Sequence, residues 1–466
     1  MVLVVALGVA LILPAAGQTF SERQQIAIFR LSYYGQPRYE PPPGVRVEVR
    51  GRRGSLTIEL RGTGNPDYDS LFDRAFGAID EEIRSVFINL GRFDVIGMQQ
   101  RLTESSVDDF IAALGDYELD RAEMPEAVLL GQQAFTEQDF RELAGGFVVV
   151  VPSVSWYDLR RDRDGMYEAE MRTSFTFINV NDMQTFDQFF IETSGYAERP
   201  GEAVREAVDQ LPAELTFRVR SMPEFQLKTG VLEVNGSEVV IEFGRNMGLR
   251  RGDEYAIIAE RVLSTGYVAT QETGLIVIRE VHEEFSYGEV LYASPRARPG
   301  DQLREVPRWP AEANVYFNVM TDGLTSSSLL GFKAVASRGF YAWRPFVAVE
   351  IPFRGLIGNV LFPVNAVVGG EWNVYLGRIR LTPSVSVGLG GAIPLIDDPD
   401  AASFYLSHFG AVARLGGSLL VSRDIMVTVE TGIGYWLGVY GGDIRRLIEP
   451  LSSYGGIVIG GSITIK

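Results

Sequence analysis

The sequence predicts a multidomain chain: an α/β domain, a small all-β domain, and a C-terminal eight-stranded antiparallel transmembrane β-barrel. Three observations carry this reading. Up to about Val219, helical and strand periodicities follow one another. From 228 to 306, short apolar runs are separated by Gly-rich turns. From Glu312 onward, apolar residues recur at every second position. A period of 3.6 marks an amphipathic helix, and a period of two marks a strand with unlike faces. The resulting boundaries are 1–17 for a signal peptide, 18–222 for the α/β domain, 223–306 for the small β domain and 307–466 for the barrel.

Val2 to Leu13 is an unbroken run of apolar residues and Gly, followed by Pro14-Ala15-Ala16-Gly17. Such a run is short for a spanning helix and fits a signal-peptide core, with Ala15 and Gly17 at the small positions of a cleavage site. Export is therefore expected. The net charge is −17, which argues against nucleic acid as a partner, since phosphate recognition needs a basic surface. That charge is uneven: 307–466 holds 12 Lys and Arg against 11 Asp and Glu, so the acidity lies in front of it. The absence of cysteine excludes disulfides, thiolate metal sites and a lipidated N-terminal cysteine.

In the front region, Gln24–Ser32 reads as a strand, and Val45–Val49 with Ser55–Leu60 as a hairpin around Gly51-Arg52-Arg53-Gly54. Leu71, Phe72, Phe76, Ile79, Ile83 and Phe87 give Tyr68–Leu90 a helical stripe. Arg92–Met98 comes next as a strand. Thr103–Leu114 is a helix, with Asp108 and Asp109 early enough to suit its dipole. A short helix at Glu137–Leu143, three strands (Gly146–Val151, Met166–Phe177, Phe186–Ser194) and a closing helix at Glu202–Leu211 complete the region. Between the first two of those strands, Arg160-Arg161-Asp162-Arg163-Asp164 reads as a charged hairpin tip, either a solubilising surface or a partner contact. The small domain contains strands at Val231–Val234, Val239–Phe243, Glu254–Ala259, Gly274–Val281 and Tyr287–Tyr292. Its turns include Gly248-Leu249-Arg250-Arg251-Gly252-Asp253 and Arg298-Pro299-Gly300-Asp301, where Gly supplies positive φ and Asp closes the turn.

In the last part, Val315, Phe317 and Val319 oppose Asn314 and Asn318, and Leu330, Phe332, Ala334 and Ala336 oppose Lys333 and Ser337. Tyr341, Trp343, Val347, Val349 and Ile351 oppose Arg344 and Glu350. Phe362, Val364, Ala366, Val368, Trp372 and Val374 oppose Asn365, Glu371 and Asn373. Four further strands lie at 379–389, 409–419, 425–435 and 457–465, with Arg380, Arg414 and Glu430 on their polar faces. Turns such as Gly377-Arg378 and Ser422-Arg423-Asp424 are tight, whereas Ile396–Ala402 and Gly441–Ser453 are longer loops. Unequal ends of this kind are typical of membrane barrels.

Alternation alone leaves inside and outside open, because a soluble sandwich or lipocalin-like barrel alternates too. The signal segment, the strand lengths and the aromatic strand ends favour a membrane barrel. The expected lumen charges are then Lys333, Arg344, Glu350, Glu371, Arg380, Arg414 and Glu430. The expected membrane-interface aromatics are Tyr341, Trp343, Trp372, Tyr435 and Trp436. An eight-stranded barrel is just wide enough for side chains to fill it, so an anchor is expected in place of a pore.

The strand containing Ile26-Ala27-Ile28-Phe29, the long helix, Gly91-Arg92-Phe93-Asp94-Val95-Ile96 and the later strands together resemble the periplasmic domain of the CsgG family, shared in outline with LpoB-like and TolB N-terminal domains. The turns of 228–306 are similar in placement to those of the FlgT C-terminal domain, and the last part resembles the OmpA-type barrel in architecture. These resemblances imply a bacterial outer-membrane protein with periplasmic domains that bind secretion, flagellar or cell-wall assembly partners, and they leave room for a homo-oligomeric ring. The alternative they imply is a subunit of an oligomeric CsgG-like secretion channel.

No phosphate loop, HExxH or GxSxG motif is present, and His282 and His408 are too few for a His-rich metal centre. No enzymatic activity, cofactor or metal is expected. Asp397-Asp398-Pro399-Asp400 reads as a soluble loop, with a hard cation such as Ca²⁺ as its other reading.

Overall fold

The computed structural model describes residues 21–33, 47–50, 66–103, 106–119, 127–130, 133–144, 148–323, 326–353, 361–394, 405–438 and 453–466. The signal segment, Ser55–Leu60, the acidic loop at Asp397–Asp400 and the longer barrel loops lie outside these residues.

The front region is built on runs such as Ile26-Ala27-Ile28-Phe29 and Val148-Val149-Val150-Val151, apolar at every position, as a strand covered on both faces must be. These runs lie in β1 (Gln24–Arg30) and β6 (Val148–Arg161). The intervening elements are β2 (Val47–Arg50), α1 (Pro66–Leu90), β3 (Phe93–Arg101), α2 (Val107–Leu119), β4 (Ala127–Leu130), β5 (Gln133–Thr136) and α3 (Glu137–Ala144). After β6 come β7 (Tyr167–Asn179), β8 (Gln184–Ala197), α4 (Pro200–Asp209) and α5 (Leu211–Ser221). The five-stranded sheet runs β3-β1-β6-β7-β8, with β1 parallel to β3 and β6 and the rest antiparallel.

Ile26, Ile28, Val148 and Val150 share one core with Phe72, Phe76, Ile79, Ile83 and Phe87 of α1 and with α4 and α5. Ala27, Phe29, Val149 and Val151 point the other way, onto Phe110, Phe135 and Phe140. The expected helix at Glu202–Leu211 is α4, which ends at Asp209, and a further helix follows it: Pro212 sits in the first turn of α5, where its missing N–H costs nothing. β2 pairs in parallel with β4 in a small separate sheet, and the second arm of the hairpin expected from Val45–Val49 lies outside the described residues.

The second unit contains β9 (Lys228–Asn235), β10 (Glu238–Ile241), β11 (Glu254–Val262), β12 (Val268–Val281), β13 (Ser286–Ala293) and β14 (Gln302–Val306). They close into a barrel in the order β10-β13-β12-β11-β14-β9 around Val239, Ile241, Ile257, Ile276, Ile278 and Leu303. The Asp carboxylates close their turns as read: Asp253 accepts from the Arg250 N–H at 2.8 Å and Asp301 from the Arg298 N–H at 2.7 Å.

The third unit contains β15 (Ala311–Thr321), β16 (Ser326–Ala336), β17 (Trp343–Pro352), β18 (Leu361–Trp372), β19 (Val374–Leu376), β20 (Ile379–Pro394), β21 (Tyr405–Leu420), β22 (Ile425–Gly438) and β23 (Tyr454–Ile465). Eight long strands pair antiparallel with their chain neighbours, and β23 pairs with β15 to close the ring. The short β19 extends the β18–β20 hairpin at one rim.

Parity then decides inside and outside. Phe317, Phe332, Val349, Val387, Leu415 and Ile459 are exposed, while Glu312, Asn314, Arg344, Glu350, Glu371, Arg380 and Arg414 are buried. A soluble barrel would have the reverse. The apolar face is outside, as in a transmembrane barrel. No described helix is long and apolar enough to cross a membrane.

Candidate functional site

Strand alternation brings Lys333, Arg344, Glu350, Glu371, Arg380, Arg414 and Glu430 together inside the barrel, each at an inward register position. Arg344 bridges Glu312 at 2.8 Å and Glu371 at 2.6 Å; Lys333 also reaches Glu371 at 3.0 Å, and Arg380 reaches Glu312 at 3.4 Å. One strand-step further in, Glu350 accepts from the Tyr316 hydroxyl at 2.7 Å and from Arg414 at 2.9 Å, and Arg414 lies 3.6 Å from Glu430. Four cations thus meet four anions. Glu312 and Tyr316 were missed by the sequence reading, although their parity with Asn314 and Asn318 places them inside.

A cavity of about 20 Å³ remains among Glu312, Lys333, Glu371, Arg380 and Glu430. That is room for one water molecule and not for a hydrated ion. Beyond the charges, Met320, Leu329, Val367, Val412 and Val458 form an apolar plug with Trp436 and Tyr454, whose rings stack at 6.1 Å.

The five aromatics expected at the membrane interface separate. Trp343 and Trp372 face outward and are register partners at one end of the barrel, and Tyr435 faces outward near the other. Trp436 does not join them. It is only 1% exposed and lies inside, because its even position shares the inward face with Thr428 and Glu430. Its ring covers Gly388 and Gly410, where a larger side chain would collide with it. Tyr341 precedes the strand and stacks on Tyr375 at 5.3 Å beneath the small β domain. That position makes it part of a domain junction and not of a lipid-facing belt.

Outward parity has a direct test. Val387 lies midway along β20 and is 59% exposed. Val387→Arg should destabilise the barrel by about 2–4 kcal/mol in vesicles, the cost of a lipid-facing cation near the midplane. Urea unfolding in vesicles measures this, and an unchanged midpoint would contradict a lipid-facing wall.

The second concentration of buried charge joins all three units. Gly91 (φ 72°) lets the chain turn between α1 and β3 and packs against Gly248 (φ 77°), where any Cβ would fall on the Leu90 carbonyl. This contact brings Arg92 onto Glu305 of β14 at 2.6 Å and 3.2 Å, a two-pronged pair. Arg220 of α5 donates to the same carboxylate at 2.7 Å and to Asp253 at 3.0 Å. Asp253 also takes Arg338, from the turn between β16 and β17, at 2.9 Å. At the barrel rim, Arg308 holds Glu254 at 2.9 Å and Asp424 at 2.5 Å, and Lys466 donates to Glu254. Burial alone would raise the Glu305 pKa, but Arg92 and Arg220 overcome this and hold it near 2. Arg220 is driven up, its desolvation outweighed by Glu305 and Asp253.

The charged tip of the β6–β7 hairpin is largely turned on itself. Asp162 accepts from the N–H groups of Asp164 and Met166, each at 2.9 Å, and from the Tyr196 hydroxyl, and Arg160 pairs with Glu170 at 2.7 Å. The hydrogen bond to Asp162 pushes Tyr196 up to about 12. Buried His408 is hydrogen-bonded to Ser407 at 2.7 Å, while His282 stacks on Phe285 at 4.6 Å. Among the described residues, no group of three or more His, Cys, Asp or Glu is placed to hold a metal.

No family model and no curated protein matches the chain. Among solved structures, the chain is similar to Neisserial surface protein A, at 12% identity over 34% of this chain and 95% of that one, with a TM-score of 0.24. It is also similar to a putative neuraminyllactose-binding hemagglutinin homologue from Helicobacter pylori (10% identity, 46% and 94% covered, TM-score 0.21). A third is OmpT, an outer membrane protein of Vibrio cholerae (11% identity, 68% and 95% covered, TM-score 0.15).

Proposed function

We propose that the protein is a non-enzymatic anchor of the bacterial outer membrane, holding its α/β and small β domains in the periplasm to bind protein partners. The observation that carries this is the lumen. Balanced ion pairs and an apolar plug fill it, so its volume serves to hold the barrel shut and leaves no route for solutes. The acidic front domain, with two helix-covered faces and a long edge strand at β8, supplies the surface available for binding. The resemblance to CsgG-family and FlgT domains suits partners drawn from secretion, flagellar or cell-wall assembly, and an oligomeric ring among them.

Two measurements test the anchor. The protein should fractionate with outer membranes and shift its mobility on a denaturing gel only after heating, as a closed barrel does. Reconstituted into planar bilayers, it should show no ion conductance above background. Recovery in the soluble fraction without a heat shift would refute the membrane placement, and stepwise conductance would refute the sealed lumen.

A further inference from the structure

We infer that the hairpin joining β11 and β12 is a second membrane contact, dipping into the interface of the leaflet beneath the small β domain. The inference rests on the proposed membrane placement of the barrel. Its first ground is the path of β12. Near Ile278, whose carbonyl accepts from the Gly252 N–H, the small domain meets the barrel turn at Ser337–Phe340, since a Cβ on Gly252 would fall on the carbonyls of those two residues. At Glu272 it meets Arg423, in the turn between β21 and β22, at 2.8 Å and 2.9 Å. In the ring order, the β16–β17 and β21–β22 turns stand on opposite sides of the barrel mouth. The six strand steps from Ile278 to Glu272 span roughly 20 Å at strand rise. β12 therefore crosses the mouth from rim to rim, and the part of the hairpin beyond Glu272 overhangs the bilayer.

The second ground is the composition of that overhang. From Ala259 to Glu272 nearly every residue is exposed, so the hairpin leaves its own barrel without packing on anything. Its tip is nevertheless apolar. Val262 (68% exposed) pairs with Val268 across the hairpin, and Leu263 and Tyr267 (70% exposed) flank the turn at Gly266. Of the six large exposed apolar residues in 228–306, four are in these seven positions. A soluble hairpin tip would carry polar residues there, while Tyr among aliphatic residues suits the headgroup boundary. The third ground is height. Val421 and Ile425, on either side of Arg423, are themselves exposed apolar residues, so the lipid-facing wall reaches the rim from which the hairpin emerges.

The chain has no cysteine, so single-cysteine variants label cleanly. Tyr267→Cys, Val429→Cys and Asp164→Cys would each carry an environment-sensitive nitrobenzoxadiazole label on the full chain. The proteins would be reconstituted into phosphatidylethanolamine–phosphatidylglycerol vesicles with and without spin-labelled lipid. Val429 lies on the outer barrel wall, and Asp164 is on the exposed β6–β7 tip. The expected result is a several-fold loss of emission from spin-labelled lipid at 267 and at 429, with none at 164. Quenching at 429 without quenching at 267 would overturn the hairpin contact alone. No quenching at 429 would overturn the membrane placement and the hairpin contact with it. A label at 267 that is shielded from water but insensitive to spin-labelled lipid would show the hairpin covered by this protein or a second copy of it and overturn the lipid assignment.

Discussion

Glu305→Ala is expected to undock the α/β domain from the small β domain and to destabilise the chain by roughly 3–5 kcal/mol, the cost of leaving buried charges without their partner. The carboxylate is 3% exposed and is the shared acceptor for Arg92 and Arg220, each also nearly inaccessible to water. Removing it leaves Arg92 with no anion and only the Phe225 carbonyl at 2.8 Å, and leaves Arg220 with Asp253 as its remaining anion. Denaturant unfolding gives the magnitude, and limited proteolysis gives the mechanism through new cleavage around Met222–Lys228. A charge-free triple variant, Arg92→Met, Arg220→Met and Glu305→Leu, should recover most of the loss, since burying no charge is often as favourable as burying a satisfied set. A triple variant as unstable as Glu305→Ala would show that packing, and not charge, is decisive.

The same group sets an acid limit. Its folded pKa of about 2 lies below the ordinary 4.5, so its stabilisation is fully present above 4.5 and is lost as pH falls towards 2. The junction should therefore hold at mildly acidic pH and weaken across that window. The Glu305→Ala variant should lack this segment of the pH–stability curve.

Glu350→Ala is expected to be the most damaging single change within the barrel wall, also costing roughly 3–5 kcal/mol. Its carboxylate is 0% exposed and takes three donors: the Tyr316 hydroxyl at 2.7 Å, Arg414 at 2.9 Å and the Asn365 amide at 3.5 Å. Deletion leaves Arg414 with the longer contact to Glu430 as its only ion pair and the Tyr316 hydroxyl without its carboxylate acceptor. The readout is the temperature at which gel mobility shifts, which should fall well below that of the parent. Glu350→Gln retains an acceptor of the same shape and should fall between the two. If Gln proves as damaging as Ala, the charge matters and the hydrogen bonds do not.

Much of the barrel was legible because its strands repeat with period two over ten or more residues, and a one-residue error would turn every side chain over. Which face was outer was not legible, since Val349 beside Glu350 reads the same in a lipocalin and in a membrane barrel. Trp436 carries two opposed signals: its nearness to a strand end is that of an interfacial aromatic, while its parity with Glu430 puts it inside. Glu312 is the second residue of its strand, so too little precedes it to establish a phase. The junction left almost no local signal. Arg92, Arg220, Asp253, Glu305 and Arg338 are far apart in the chain, and each alone resembles an ordinary surface charge. They meet through tertiary contacts such as that between Gly91 and Gly248 and the Arg23 donation to the Asn246 carbonyl, which no local pattern announces. The doubly covered strands at Ile26–Phe29 and Val148–Val151, by contrast, were readable from their unbroken apolar runs.

The buried clamp also makes the molecule a ruler. Because Arg92, Arg220 and Arg338 hold their partners at fixed positions, the α/β domain does not swing on a tether above the membrane. From Val148, beside β1 at the junction end, β6 runs 14 residues to the β6–β7 tip, up to about 46 Å at strand rise. Anything seated at that tip is held at a fixed distance from the junction, and that distance is set by the length of a strand.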